Sequence, residues 1–186
     1  VLEVEREQPV AAAENHIEWA VAVADPQLWW PWMLGDQPRY RVVVEVLEND
    51  AVSDRVERQV GLRQVAMHNW VMQVNGERLF LKGTNLGPTS TDLAGVDPEL
   101  IRGDVRLARE AGLDLVRVTG HVARPELYDE ADQRGVLVWQ DLPLRWGYAR
   151  SVRSQARRHA REIVDQLGHH ASVAIWCGHD DPAALD

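Results

Sequence analysis

Two rhythms of hydrophobic and polar residues divide this chain. In the first part, apolar residues recur at every second position. Ile17, Trp19, Val21 and Val23 alternate with Glu18, Ala20, Ala22 and Ala24; Tyr40, Val42, Val44 and Val46 alternate with Arg41, Val43 and Glu45. A period of two gives each strand one buried face and predicts antiparallel β structure. Loops are expected at Asp25-Pro26 and Gly35-Asp36-Gln37-Pro38. Asn75-Gly76 is the strongest hairpin signal, joining Val71–Val74 to Leu79–Leu81. These strands suggest a β-sandwich.

After Phe80 the rhythm changes. Phe80 to Asn85 reads as a strand. Asp97-Pro98-Glu99 then opens a helix, with Asp as N-cap and Pro in the first turn. Ile101, Val105 and Ala108 share one helical face, and Gly112 ends it. Leu115–Val118 is the next strand. Pro125 starts a second helix that Gly135 closes, and Val136–Trp139 is the third strand. Val152, Ala156, Ala160, Ile163, Val164 and Leu167 mark a third helix closed by Gly168, and Val173–Trp176 is a short buried strand. Strands alternating with helices imply βαβ units and a parallel sheet. Four such units make half of an eight-stranded barrel, whose first and last strands would expose unpaired edges. The chain is therefore expected to be an excerpt of a longer one, or to self-associate through those edges.

Composition narrows the class. Hydrophobic residues make up 45% and charged residues 26% of the 186 positions, as in globular proteins. No apolar run approaches the length of a membrane span. Val1 is not a start Met and no signal-peptide pattern follows it. A net charge of -9 argues against nucleic acid and is compatible with a neutral polyol such as a sugar. The single cysteine, Cys177, excludes an internal disulfide. Gly-rich phosphate loops and basic stripes are absent from the pattern.

In a parallel barrel, chemistry sits at the C-terminal strand ends. Those positions are Asn85, Arg117 to His121, Gln140 and Asp141, and Gly178 to Asp181. By themselves Asp180 and Asp181 are also what a solvated turn carries. Trp139 and Trp176 serve either core packing or the wall of a carbohydrate pocket, because aromatic faces stack on sugar C–H faces. His169, His170, Cys177 and His179 are metal-ligand types, but they flank a buried strand and lack the paired spacing of zinc sites. Neither a metal nor a cofactor is expected. Cys177 reads as a small buried residue rather than a nucleophile.

Several segments resemble glycoside hydrolase family 2, in its β-mannosidase branch. Phe80-Leu81-Lys82-Gly83-Thr84-Asn85-Leu86-Gly87-Pro88 looks like the family's first barrel strand, and Asn69-Trp70 with Val74-Asn75-Gly76 like the sandwich end before it. Leu115–Val118 resembles the second strand. The run from Leu127 to Asp141 is similar to the second helix and third strand, and His170 to Gly178 looks like the fourth strand. Trp29-Trp30-Pro31-Trp32 and Gln37-Pro38-Arg39-Tyr40 resemble the branch's sandwich loop. The resemblance implies an immunoglobulin-like β-sandwich over 1–78 and the first half of a (β/α)8 TIM barrel over 79–186. It implies a retaining glycosidase, with an acid/base and a nucleophile about 5 Å apart. By position Asp181 is the acid/base, while Asn85, Arg117, Asp141, Trp176 and Asp180 contact carbohydrate. Arg117 matches an arginine that supports the nucleophile, and the nucleophile itself comes from a later strand. A glycan-binding homologue without catalysis is the alternative. Three departures stand out: Asp180 replaces Asn, Asp181 replaces Glu and is one methylene shorter, and Thr119-Gly120 replaces Trp-Gly. A shorter acid predicts weaker or altered activity.

Overall fold

The computed structural model describes residues 2–12, 15–147 and 150–182, with the backbone alone at 146 and 180–182. The alternating segment from Ile17 to Val23 is not a strand. Its apolar residues are two-fifths exposed, and no neighbouring strand pairs with it among the described residues. Alternation makes a strand feasible, but only a ladder partner satisfies its backbone groups.

The first strands, β1 (Tyr40–Glu48) and β2 (Ala51–Val60), form an antiparallel hairpin. Its turn residues Asn49 and Asp50 both have positive φ, which these residue types tolerate. Arg41 grips Glu57 with two hydrogen bonds of 2.6 and 2.8 Å across the ladder. The face expected to be buried is not: Val42, Val44, Val46 and Val56 remain exposed. No second sheet lies on that face among the described residues. A three-stranded meander follows, from β3 (Val65–His68), β4 (Val71–Val74) and β5 (Glu77–Leu79). The Asn75-Gly76 hairpin forms as expected, with φ of 51° and 87°, but its second strand is Glu77–Leu79.

The remainder is built on four parallel strands: β6 (Gly83–Leu86), β7 (Leu115–Val118), β8 (Leu137–Asp141) and, later in the chain, β10 (Val173–Cys177). They lie side by side in chain order. Helices α1 (Pro98–Glu110), α2 (Pro125–Arg134) and α3 (Arg153–Leu167) make the crossovers. The Asp97 carboxylate caps α1 by accepting the Glu99 N–H at 2.9 Å. Ile101, Val105 and Ala108 are buried against β7 and α2, as the spacing predicts. Gly135 closes α2 at φ 69°, and a Cβ there would stand 2.6 Å from the Trp32 backbone nitrogen. Two short strands, β9 (Arg145–Trp146) and β11 (Asp180–Pro182), pair in parallel beyond the ends of β8 and β10.

The parallel sheet has two distinct faces. Val116, Val118, Val138 and Val173 pack under the helices with Leu127, Tyr128 and Ala131. Leu115 and Leu137 point the other way, to Trp29, Met72, Leu79 and Ala171. Trp29 is fully buried and ties the two parts together. Its indole N–H donates to the Asp132 carbonyl at 2.8 Å, and its backbone carbonyl accepts from the Asn75 amide at 3.0 Å. Trp32 donates to the Leu113 carbonyl, and the Arg109 guanidinium lies 4.7 Å over its ring. The Trp29–Trp32 loop therefore seals the N-terminal ends of the strands, opposite the end where barrels keep their chemistry.

Candidate active site

Strand register decides which side chains can meet. Asn85 pairs with Arg117, Arg117 with Trp139, and Trp139 with Ile175. Register partners in adjacent strands share a face, so these four form one row on the face away from the helices. Asp141 and its partner Cys177 stand two residues further along, on that same face at the C-terminal end.

Arg117 and Asp141 are joined there. Arg117 Nε lies 3.0 and 3.1 Å from the two Asp141 oxygens, and Nη2 lies 2.9 Å from Oδ2. Asp141 is fully buried, while 23% of the Arg117 side chain is exposed. A bidentate fork fixes the guanidinium in direction as well as place. Its Cζ sits 5.0 Å over the Trp139 ring. The Trp139 indole N–H is buried and has no hydrogen-bond partner among the described residues. With the exposed Asn85 amide and the partly exposed Arg117 guanidinium, this face offers N–H donors beside an aromatic plane, groups that recognise a polyol.

Trp176 is not brought to this face. A register shift between Val173 and Ile175 pairs Trp176 with Gln140, in the row that faces the helices. A one-residue slip moves every later side chain to the opposite face. Without that slip Trp176 would flank Asp141; with it, Cys177 takes the place.

The backbone of Asp180 and Asp181 runs in β11 beside β9, with Asp180 opposite Arg145, past the same end of the sheet. The side chains of Asp180 and Asp181 lie outside the described residues. The loop after β7 turns at Gly120, φ 67°, where a Cβ would come within 2.8 Å of the Arg145 side chain. His121 Nδ1 lies 3.1 Å from the Thr119 carbonyl; a carbonyl only accepts, so we assign the proton to Nδ1.

Behind the site lies a buried network that the sequence did not signal. The Tyr128 hydroxyl donates to Gln140 Oε1 at 2.6 Å and accepts from the Ala123 N–H at 3.1 Å. Gln140 Nε2 donates to the carbonyls of His121 and Asp141, at 2.8 and 2.6 Å. Burial pushes the Tyr128 hydroxyl pKa far up, so the phenol stays a neutral donor. Gln140 thus fastens the loop after β7 to the end of β8. A glutamine between Trp139 and Asp141 in a buried strand was the only hint.

The other histidines are held elsewhere. His170 Nδ1 lies 2.7 Å from Asp132 Oδ2, and Asp132 Oδ1 accepts the Ser172 N–H at 2.8 Å. His169 stacks on His170, and burial lowers its pKa, helped by His170 and Arg58. Among the described residues no group of three His, Cys, Asp or Glu is placed to hold a metal ion.

Residues 2–63 match the family model of glycosyl hydrolases family 2. The chain is 28% identical to β-mannosidase B of Thermothelomyces thermophilus over 174 residues, covering 86% of this chain and 20% of that protein. It superposes on the crystal structure of a β-D-mannosidase from Dictyoglomus thermophilum with a TM-score of 0.76 and 28% identity, covering 82% of this chain and 21% of that one. The chain is thus similar to β-mannosidases and to glycosyl hydrolases of family 2. A β-glucuronidase of Bifidobacterium dentium shares the fold, with a TM-score of 0.77 at 22% identity over 89% of this chain and 27% of that one. The β-mannosidase-like chain spans about a fifth of the length of the relatives it matches.

Proposed function

We propose that this β-mannosidase-like chain is part of a retaining glycoside hydrolase acting on O-glycosidic bonds. Its partner is a carbohydrate. The observation that carries the reading is the Arg117–Asp141 fork, set beside Asn85 and Trp139 at the C-terminal ends of parallel strands. The four strands in chain order, with a helix after each of the first three, support residues 79–186 as the first half of a (β/α)8 barrel, with 1–78 belonging to an immunoglobulin-like sandwich. The outer edges of β6 and β10 carry no strand among the described residues, and they are where further barrel strands, or a second copy, would pair.

In this reading Asp181 is the general acid/base. It protonates the leaving oxygen, then takes a proton from the attacking water. Asp180 and Asn85 hold sugar hydroxyls. Asp141, buried behind Arg117, fixes the guanidinium, which supports the nucleophile and meets the sugar. Retention needs two carboxyls about 5 Å apart across the scissile bond. Asp180 and Asp181 are neighbours on one strand, and Asp141 is engaged by Arg117, so the nucleophile belongs to a later strand. These 186 residues alone are expected not to turn over glycosides.

The test is a panel of aryl β-glycosides, with this chain and with the protein at the length of its relatives. The longer protein should cleave them. Asp181→Asn should cut its rate by a factor of about 10² or more, the usual weight of a general acid, and Asp181→Glu should raise it. Turnover by the 186 residues alone, or an unchanged rate in Asp181→Asn, would contradict the assignment.

A further inference from the structure

Residues 142–161 hold six of the chain's 20 basic side chains and none of its 29 acidic ones. Read as a string, these arginines look scattered, and no basic stripe is expected. Helix geometry corrects that. Arg150, in a single 3-10 turn leading into α3, is followed by Arg153, Arg157 and Arg161, at steps of three, four and four residues. Such steps stack on one helix face. The stripe is roughly 16 Å long at 1.5 Å per residue.

All four side chains are exposed, and none makes a hydrogen bond or ion pair with a described residue. Arginines on the other two helices are paired. On α1, Glu99 binds Arg102 and Arg106; on α2, Glu130 binds Arg134. On α3 Arg158 lies 3.7 Å from Glu162, off this face, while Arg153, Arg157 and Arg161 follow one another at i,i+4 as like charges, which repel, and Asp165 stands one turn beyond Arg161. Four forked cations in line, without an ion pair among the described residues and with Asp165 only at the far end, form a receptor for a linear polyanion.

We propose that the α3 arginine stripe binds an acidic polysaccharide, one with carboxylates on successive sugars. That the anion is a glycan rests on the glycosidase reading above. In a βαβ crossover the start of α3 lies at the C-terminal ends of the strands, so Arg150 begins at the rim of the candidate site and the stripe leads away from it. A substrate held by its reacting sugar would lay its remaining acidic units along this track. Nucleic acid fits less well. α3 presents no Trp, Tyr or Phe on which bases could stack, and the rest of the chain is strongly acidic and repels a long polyanion. A membrane surface would need large apolar residues beside the arginines, and only Val164 is exposed there.

The experiment is calorimetric titration of the 186-residue chain with a hexamer of galacturonic acid, with neutral mannohexaose, duplex DNA and oligo-glutamate as comparisons. The acidic hexamer should bind saturably and weaken about tenfold between about 50 and 200 mM salt, as phosphate contacts do. The triple variant Arg153→Gln/Arg157→Gln/Arg161→Gln, on exposed positions, should keep its circular dichroism and lose that binding. Its response to a small β-mannoside should be unchanged, so failure of the stripe and failure of the sugar site are read separately. No saturable binding of the acidic hexamer, undiminished binding by the triple variant, or equal affinity for DNA or oligo-glutamate would overturn the proposal.

Discussion

Asp141 is sealed from water and relies on Arg117 for both of its oxygens. A buried carboxylate that loses its cation keeps the full desolvation cost, about 3 kcal/mol or more. Arg117→Ala should therefore destabilise the chain by roughly that amount in urea unfolding, and Asp141→Asn/Arg117→Gln by less than Arg117→Ala. Equal losses in the two variants would mean that the fork contributes no electrostatic stability. His169 supplies a pH signature. Its pKa in the fold is lowered from 6.5, first by burial, then by His170 and Arg58. Below pH 6.5 the unfolded chain takes up a proton there that the folded chain resists, so stability falls as the pH drops through that value. The urea midpoint should decline less between pH 7.5 and 5.5 in His169→Gln than in the native chain. An identical decline would show that His169 is not a source of the acid sensitivity. The strand-end rule picks out Asn85, Arg117 and Asp141 from sequence because polar residues ending apolar strands stand out. It cannot turn Trp176 away from the site, because the register shift between Val173 and Ile175 is set by how β10 seats on β8. Nor can it pair Tyr128 with Gln140, which meet only once α2 folds back over β8.

Helices and tight turns are legible wherever a local device specifies them. Asp97 capping α1, Gly135 ending α2 and the Asn75-Gly76 turn all act within a few residues of themselves. Gly135 also carries a tertiary duty, since the Trp29–Trp32 loop approaches where a side chain would be. Gly76 has a similar φ, 87°, but open space around it. Gly76→Ala should cost about 1 kcal/mol, the penalty of an alanine at positive φ. Gly135→Ala should cost about 2 kcal/mol or more, because the Trp32 backbone has to move as well. Thermal or urea unfolding of the two variants compares them directly, and equal losses would contradict the close approach. Strands are less legible than helices. Period two marks Val42, Val44 and Val46 as one face, yet it does not say what covers them, and in this chain they face solvent.

At the scale of the molecule, the change of rhythm near Phe80 does separate an antiparallel part from a parallel one. The two are not independent bodies. Trp29, Met72 and Leu79 share a core with Leu115, Leu137 and Ala171, and Arg63 donates to the Val173 carbonyl at 2.7 Å. That seam closes the N-terminal ends of the parallel strands and leaves their C-terminal ends free for chemistry. The central claim is that this open end, floored by Asn85, Arg117, Trp139 and Asp141, receives a sugar. The most direct test is an NMR titration of the 186-residue chain with methyl β-mannopyranoside, following the amide and indole N–H signals. Saturable shifts are expected at Asn85, Arg117 and Asp141 and at the Trp139 indole, which has no partner among the described residues, all lost in Asp141→Asn. Shifts confined to Trp29 and Trp32 at the opposite end, or no saturable shift at all, would contradict it.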